Sequence, residues 1–188
     1  MYENNSICFI QGMKTKGEKF GYAFLKYDGT GDAAKSRNCC ENSKVIAIVP
    51  SMHQTGVSYF HSFALTENFI VFCEYSLQVN LIKYLVGKAT NKSLCDAMKM
   101  QPQRRTRIHI LHRATGEVVR QQYVTEPMFA FHHINAYEQI DPAHGQRTVI
   151  VVDICAYDPH VFDIHNWTVQ DLLTDRITDG GKLMVFLH

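Results

Sequence analysis

Three histidines lie in contexts where an imidazole could do chemistry. His61 stands between Tyr59-Phe60 and Ser62-Phe63, and aromatic neighbours on both sides predict that it is buried. His132 and His133 follow a Phe-Ala-Phe segment in a second apolar stretch. A neutral imidazole is a common metal ligand and also a proton carrier near physiological pH. A lone buried histidine is nonetheless more often a hydrogen-bonded core residue, and that interpretation stays open for all three.

The distance along the chain between these histidines restricts what they can do. His61 and His132 are too far apart for a local metal motif such as H-E-x-x-H, so only the fold could bring them together. Successive side chains on a strand point to opposite faces, so only one of His132 and His133 can point at any one site. From the residues alone, a shared metal site therefore depends on a fold that brings His61 and one of the other two histidines together.

The other seven histidines give weaker signals. His109 and His112 fall on one predicted strand but on opposite faces, so they cannot converge on one metal from that strand. We interpret them as surface or hairpin residues. No role is assigned to five histidines in polar or terminal contexts: His53, His144, His160, His165 and His188.

One glycine pattern superficially fits a dinucleotide-binding fingerprint. Gly29-x-Gly31-x-x-Ala34 has the spacing, but the chemistry requires a helix to begin there, so that a pyrophosphate lies on its N-terminus. The residues that follow, Lys35 to Cys40, show no amphipathic helical pattern. A solvated hairpin loop is the favoured interpretation.

The composition limits the class of protein. With 188 residues, 46% of them hydrophobic and 20% charged, the chain can form one globular core and is not disordered. A formal net charge of +1 gives no basis for a nucleic-acid partner. No segment approaches the roughly 18 to 20 apolar residues of a membrane-spanning helix, and the N-terminus lacks a secretory signal pattern. Six cysteines without a CxxC pair predict a cytoplasmic protein with reduced, mostly buried thiols.

Apolar runs of strand length, separated by turn residues, predict an all-β fold. The predicted strands are Ser6–Gln11, Gly21–Tyr27, Lys44–Val49, Phe69–Glu74, Arg107–His112, Glu117–Tyr123, Met128–Ile134 and Thr148–Ile154. Arg113 to Gly116 predicts a hairpin turn, because glycine can take a positive φ. Helical spacing predicts short helical insertions in Val79–Met100 and Trp167–Ile177. A sandwich, a barrel and a propeller all remain compatible with this pattern.

Two segments carry a resemblance to the carotenoid cleavage oxygenase family. Ser58–Phe72, SYFHSFALTENFIVF, is similar to the stretch S-Y-x-H-S-F-G-x-T-E-N-Y-x-x-F of the animal members. Phe131–Glu138, FHHINAYE, resembles the family's F-H-x-x-N-A-Y/W-E. Further similarity lies in the hairpin at Thr106–Ile110 and Arg113–Gly116. Val149–Tyr157 resembles the family's V-x-x-D-x-x-A-Y continuation, with Asp153, Ala156 and Tyr157 at the matching positions. The resemblance extends from about Pro50 to Asp158.

The resemblance implies a seven-bladed β-propeller with Fe(II) on its axis, held by four histidines and no carboxylate. On the matching positions His61 and His132 are iron ligands, whereas His133 occupies a variable position and points away. We expect imidazole nitrogens of His61 and His132 within about 3 to 4 Å of each other, as for two ligands of one ion. The implied reaction is cleavage of a carotenoid or apocarotenoid double bond by O₂ into two carbonyl products.

The resemblance also implies that residues 1–188 are an incomplete part of a single propeller domain, with about four blades' worth of chain and short helical insertions. The other two ligand histidines are expected upstream of Ser6 and beyond His188. Three alternatives stay open: a retinoid isomerohydrolase-type relative, an inert truncated product, and a remnant that binds a carotenoid or a protein partner. Peripheral membrane association and oligomeric state also stay open.

Overall fold

The computed structural model describes residues 6–14, 19–28, 43–166, 173 and 183–186, and most of these residues lie in strands. The strands are β1 (Ser6–Lys14), β2 (Phe20–Asp28), β3 (Ser43–Pro50), β4 (Gly56–Ser58), β5 (Ala64–Leu65), β6 (Phe69–Glu74), β7 (Leu77–Asn80), β8 (Met98–Met100), β9 (Thr106–His112), β10 (Tyr123–Thr125), β11 (Phe129–Asp141), β12 (Arg147–Tyr157) and β13 (Leu183–Phe186). The helix α1 spans Leu81–Lys88, and single 3-10 turns lie at Cys95–Ala97, Pro142–His144 and Ile164–Asn166. The prediction of an all-β fold with short helical insertions is confirmed.

The described strands form four antiparallel sheets. Sheet I has the order β1-β2-β3, sheet II β4-β7-β8, sheet III β5-β6-β9-β10, and sheet IV β11-β12-β13. Sheets I and IV are simple meanders, in which each strand pairs with the next one along the chain. Sheet III resumes at β9 after the chain has left it to form β7, α1 and β8. Two strands of the small sheet II, β7 and β8, therefore belong to a segment inserted between β6 and β9 of sheet III.

Aromatic side chains fill the spaces between the sheets. Tyr22 and Phe24 of sheet I pack against Phe72 of sheet III, with ring centroids 4.7 Å and 5.7 Å away. On the other side of sheet III, Phe129 of sheet IV packs 5.8 Å from Tyr75, which follows β6. All five rings are almost completely buried. Burial of this much aromatic surface is a large favourable contribution to folding.

A buried carboxylate lies within this apolar core. Glu74, at the end of β6, accepts hydrogen bonds from the Tyr22 hydroxyl (2.8 Å), the Ser51 hydroxyl (2.9 Å) and the Met52 backbone N–H (2.7 Å) on Oε1. Its Oε2 lies 3.1 Å from Nε2 of His109, on β9. The Tyr22 hydroxyl in turn accepts the backbone N–H of Ser58, on β4, at 2.7 Å. This Glu74 cluster therefore joins sheets I, II and III.

Several predicted elements differ from the observed ones. Val79–Met100 is helical only at α1 and at Cys95–Ala97, and its ends are strands because β7 pairs with both β4 and β8. α1 begins where the Asn80 side chain accepts the Lys83 N–H at 2.9 Å. Trp167–Ile177, apart from Leu173, and Gly29–Ala34 lie outside the described residues.

The predicted hairpin turn is confirmed, but the returning strand predicted at Glu117–Tyr123 is wrong apart from Tyr123, because β10 spans Tyr123–Thr125. Gly116 has φ +75 and donates its N–H to the His112 carbonyl at 2.7 Å. Val118 forms one bridge with Leu111, and regular pairing resumes only at β10, where Tyr123 pairs with Ile108. The two pairings differ in register, so the intervening residues cannot continue the ladder.

Candidate metal centre

His61 lies in the loop between β4 and β5, and its backbone is fixed at the start of that loop. The Tyr59 N–H donates to the Leu77 carbonyl at 2.7 Å, which extends the β4–β7 pairing by one residue. Beyond that point the chain turns, and the His61 side chain is exposed. The prediction that aromatic neighbours bury His61 is wrong, because His61 lies in a loop and its neighbour Phe60 packs inward on Phe72 at 5.2 Å.

His132 lies near the beginning of β11, at an irregularity of the strand. The register of β11 against β12 shifts between Ala130 and His133 and again between His133 and Asn135. Such bulges reorient side chains and release backbone groups from the ladder. The His132 side chain is exposed.

The fold brings the imidazoles of His61 and His132 together. Their ring centroids lie 5.0 Å apart and their planes are nearly perpendicular, at 86°. Two imidazoles that each bind one ion at about 2.1 Å place their centroids roughly 4.5 to 5.5 Å apart when the angle at the metal is between octahedral and tetrahedral. The pair therefore has the separation expected of two ligands of one metal ion.

The neighbours of His61 favour one of its two nitrogens as a ligand. The Tyr59 hydroxyl lies 3.4 Å from Nδ1 of His61, and this contact leaves Nε2 available. The Phe131 ring packs edge-on to His61 with a centroid distance of 5.8 Å. Imidazole nitrogens suit iron and neighbouring first-row metals. The donor set of this pair therefore fits Fe(II), as two ligands of a larger set.

His133 is held away from this pair by hydrogen bonds. Its Nδ1 lies 2.8 Å from the Ser62 hydroxyl and its Nε2 lies 3.4 Å from the Tyr75 hydroxyl. Burial, with a smaller effect from the neighbouring His132, lowers the pKa of His133 to about 4. Both ring nitrogens thus have partners within the protein.

No group of three or more histidine, cysteine or acidic side chains able to hold a metal occurs among the described residues. Among the described residues, no third histidine, cysteine or acidic side chain thus joins His61 and His132.

The other histidines are placed elsewhere. His109 lies on the hairpin strand but is buried against Glu74, so the interpretation of a surface residue is wrong for it. A strand pattern predicts alternation but not which nonlocal carboxylate a histidine meets. His112 packs on Phe69 at 4.8 Å. His53, which had no predicted role, is buried, and its ring nitrogens lack a hydrogen-bond partner in the described structure.

Two further predictions concern the cysteines and the membrane. Cys73, Cys95 and Cys155 are free cysteines, and of these three only Cys73 is buried, so the prediction of mostly buried thiols is wrong for this set. Burial raises the pKa of Cys73 to about 12, so this thiol is unreactive. Within the described residues, no helix has the length and apolar character needed to cross a membrane.

Comparisons with known proteins identify the family of this chain. The family model described as Retinal pigment epithelial membrane protein matches residues 3–179. The carotenoid-cleaving dioxygenase, mitochondrial, of Macaca fascicularis is 30% identical over 139 residues, which are 74% of this chain and 24% of that protein. Beta,beta-carotene 15,15'-dioxygenase of Rattus norvegicus is 31% identical over 139 residues, or 73% of this chain and 23% of that enzyme.

A solved structure shows the fold. The cobalt-substituted apocarotenoid oxygenase of Synechocystis superposes with a TM-score of 0.53 at 20% sequence identity, over 80% of this chain and 26% of that one. The expectation that the chain forms part of a β-propeller is confirmed by this likeness. The chain spans about a quarter of the length of the curated relatives that it matches. From the family model, which covers nearly all of it, the chain belongs to the carotenoid cleavage oxygenase family.

Proposed function

We propose that His61 and His132 are two ligands of an Fe(II) site in an oxygenase that cleaves a carotenoid or apocarotenoid double bond. The observation that carries this proposal is the 5.0 Å separation of their ring centroids. The dioxygenase names of the relatives support the reaction class. When bound, iron supplies the redox chemistry for the reaction of O₂ with the polyene. One oxygen atom of O₂ ends on each of the two new carbonyl groups, so the atoms balance.

The residues of this chain would hold the metal and shape its surroundings. Tyr59 orients the His61 ring through Nδ1 and leaves Nε2 for the metal. Phe131 lies beside both histidines, with centroid distances of 5.8 Å to His61 and 6.4 Å to His132. Aromatic surfaces suit an apolar, conjugated substrate and exclude water from its path.

Metal binding by the intact 188-residue chain tests the proposal. Co²⁺ is a suitable probe, because it shifts and broadens the NMR signals of nearby imidazoles. We expect the signals of His61 and His132 to respond together and at the lowest Co²⁺ concentrations. His61→Ala should remove the response of His132, whereas His160→Ala, a change at an exposed histidine after β12, should leave it intact. A response of His132 that is unchanged in His61→Ala would contradict a shared site.

A second candidate function is favoured by one observation: no third metal-binding side chain joins the pair in the described residues. Two imidazoles hold a metal weakly, so the chain by itself would not cleave a carotenoid. The second candidate is therefore a chain that binds a carotenoid and leaves it intact. Incubation of the chain with β-carotene, Fe(II) and air separates the two candidates. Aldehyde products detected by mass spectrometry support cleavage by this chain. A shift of the carotenoid absorption without products supports binding alone.

A further inference from the structure

One serine hydroxyl connects the two histidine segments. Ser62 directly follows His61, and its hydroxyl donates to the Phe131 carbonyl at 2.8 Å. The same oxygen accepts the backbone N–H of His133 at 3.1 Å and lies 2.8 Å from Nδ1 of His133. Ser62, which follows His61, is thus hydrogen-bonded to Phe131 and His133, the two residues that flank His132.

The protons in this arrangement can be assigned. A serine hydroxyl has one proton to donate and two lone pairs to accept with. Its proton must lie towards the Phe131 carbonyl, because that oxygen can only accept, and two oxygens 2.8 Å apart repel without a proton between them. The contact with His133 is then a donation from Nδ1–H to Ser62. His133 therefore carries a proton on Nδ1, and its Nε2 faces the Tyr75 hydroxyl at 3.4 Å.

The irregularity of β11 explains why these backbone groups are free to bond Ser62. The β11–β12 register shifts on both sides of His133, so the ladder is interrupted around His132. Interrupted pairing leaves backbone N–H and C=O groups without ladder partners, and half-buried groups require replacements. The Ser62 hydroxyl provides a hydrogen-bond partner for both the Phe131 carbonyl and the His133 N–H.

A second connection joins sheets III and IV at a distance from the histidines. Glu138, further along β11, accepts the backbone N–H and the side-chain amide of Asn68, at 2.8 Å and 3.0 Å. It also accepts the Thr66 hydroxyl. Sheets III and IV are therefore held together away from the histidines as well.

We propose that Ser62 and His133 form a positioning pair that sets the distance and angle between the imidazoles of His61 and His132. The hydroxyl fixes the loop of His61 to the strand of His132, and Nδ1–H of His133 fixes the hydroxyl. The geometric part of this proposal holds without a metal. Its consequence for metal affinity rests on the proposed Fe(II) site.

NMR on the metal-free 188-residue chain tests the geometry. Two-bond ¹H–¹⁵N spectra should show His133 as the Nδ1–H tautomer, and a nuclear Overhauser effect should connect the ring protons of His61 and His132. Ser62→Ala should remove that effect, whereas Ser62→Thr, which keeps the hydroxyl, should retain it. The matched control is Ser76→Ala, because the buried Ser76 hydroxyl also contacts two carbonyls, those of Arg104 and Met128, away from the histidine pair. Ser76→Ala should lower stability and leave the effect in place.

The outcomes separate this proposal from the metal site. An Nε2–H tautomer of His133 in the unmutated chain overturns the positioning pair, and this measurement needs no variant to fold. An unchanged His61–His132 effect in Ser62→Ala overturns it as well. In the Co²⁺ titration, we expect Ser62→Ala to lose roughly 10-fold or more in affinity, as is usual when a group that orients a ligand is removed. If the response of the His132 signals to Co²⁺ is unchanged in His61→Ala, the iron proposal fails. The NMR result on the metal-free chain still decides whether Ser62 and His133 form a positioning pair.

Discussion

At the scale of single residues, Glu74 shows how a charge is accommodated in an aromatic core. Its side chain is fully buried, and such a charge is tolerated only when donors surround it. Three donors converge on Oε1, and the His109 ring lies against Oε2. Burial acts to raise the pKa of Glu74, but the hydrogen bonds from His109, Met52 and Tyr22 outweigh it and lower the pKa below its usual value.

We predict that Glu74→Gln destabilises the chain strongly although the shape of the side chain is kept. The amide N–H groups would face either the three donors that now bond Oε1 or Nε2 of His109, which would then have to accept a hydrogen bond. The expected loss is about 3 kcal/mol in the free energy of unfolding, measured by urea denaturation. The control is Glu126→Gln, which removes an exposed ion pair with Arg105 and should change stability little. Similar losses in both variants would contradict the role of burial.

At the scale of elements, the hairpin between β9 and β10 depends on one glycine for two reasons. Gly116 has φ +75, and a Cβ at this position would lie 2.2 Å from the carbonyl oxygen of Ile46, on β3. The turn of a sheet III hairpin is therefore pressed against a strand of sheet I. Gly145, between β11 and β12, has the same φ of +75 but no atom within 4 Å of the corresponding Cβ.

The two glycines allow backbone strain to be separated from steric conflict. Gly145→Ala should cost about 1 kcal/mol of unfolding free energy, the usual cost of a left-handed non-glycine residue. Gly116→Ala should cost clearly more, because the β3 backbone must also move. Urea denaturation of both variants, with circular dichroism as the signal, measures the difference. Equal losses would show that the hairpin tip does not press on sheet I.

The elements were predictable from the sequence where the signal is local. β6 was predicted to the residue, since an apolar run bounded by Asn68 and Tyr75 suffices. The returning strand of the hairpin was predicted at Glu117–Tyr123 but lies at Tyr123–Thr125, because an apolar pattern does not reveal a register shift. The apolar residues Ile82 and Leu85 helped to predict a helix, yet they are exposed on α1. Their spacing predicts the helix but not the strands at either end of the segment, because β7 pairs with β4 and β8 pairs with β7.

The candidate site was predictable only in part for the same reason. The resemblance named His61 and His132, and strand alternation limited the choice between His132 and His133. Exposure of His61, the Ser62 hydrogen bonds and the contact of His109 with Glu74 were not predicted. Each of these depends on residues far apart in the chain or on a bulge in β11, and neither leaves a periodic pattern in the sequence.

At the scale of the whole molecule, two carboxylates join sheets that also pack through apolar contacts. Glu74 joins sheets I to III, and Glu138 joins sheet IV to the β5–β6 turn of sheet III. Burial acts to raise the pKa of Glu138, but hydrogen bonds from Asn68 and Thr66 outweigh it, and its pKa is lowered. Below the usual glutamate pKa of about 4.5, the unfolded chain therefore binds more protons at these positions than the folded chain, so acid favours unfolding.

The contribution of Glu138 can be isolated from that of every other titrating group by comparing variants across pH. Glu138→Gln should be less stable than the unmutated chain at pH 7, where the carboxylate is ionised and accepts three hydrogen bonds. The difference should persist down to about pH 5 and then shrink as Glu138 loses its charge in the folded state. Urea denaturation at intervals of one pH unit measures it, with exposed Glu117→Gln as the control, for which the difference should stay near zero. A Glu138→Gln difference that is the same at pH 7 and pH 3 would show that the charge of this carboxylate does not stabilise the contact between sheets III and IV.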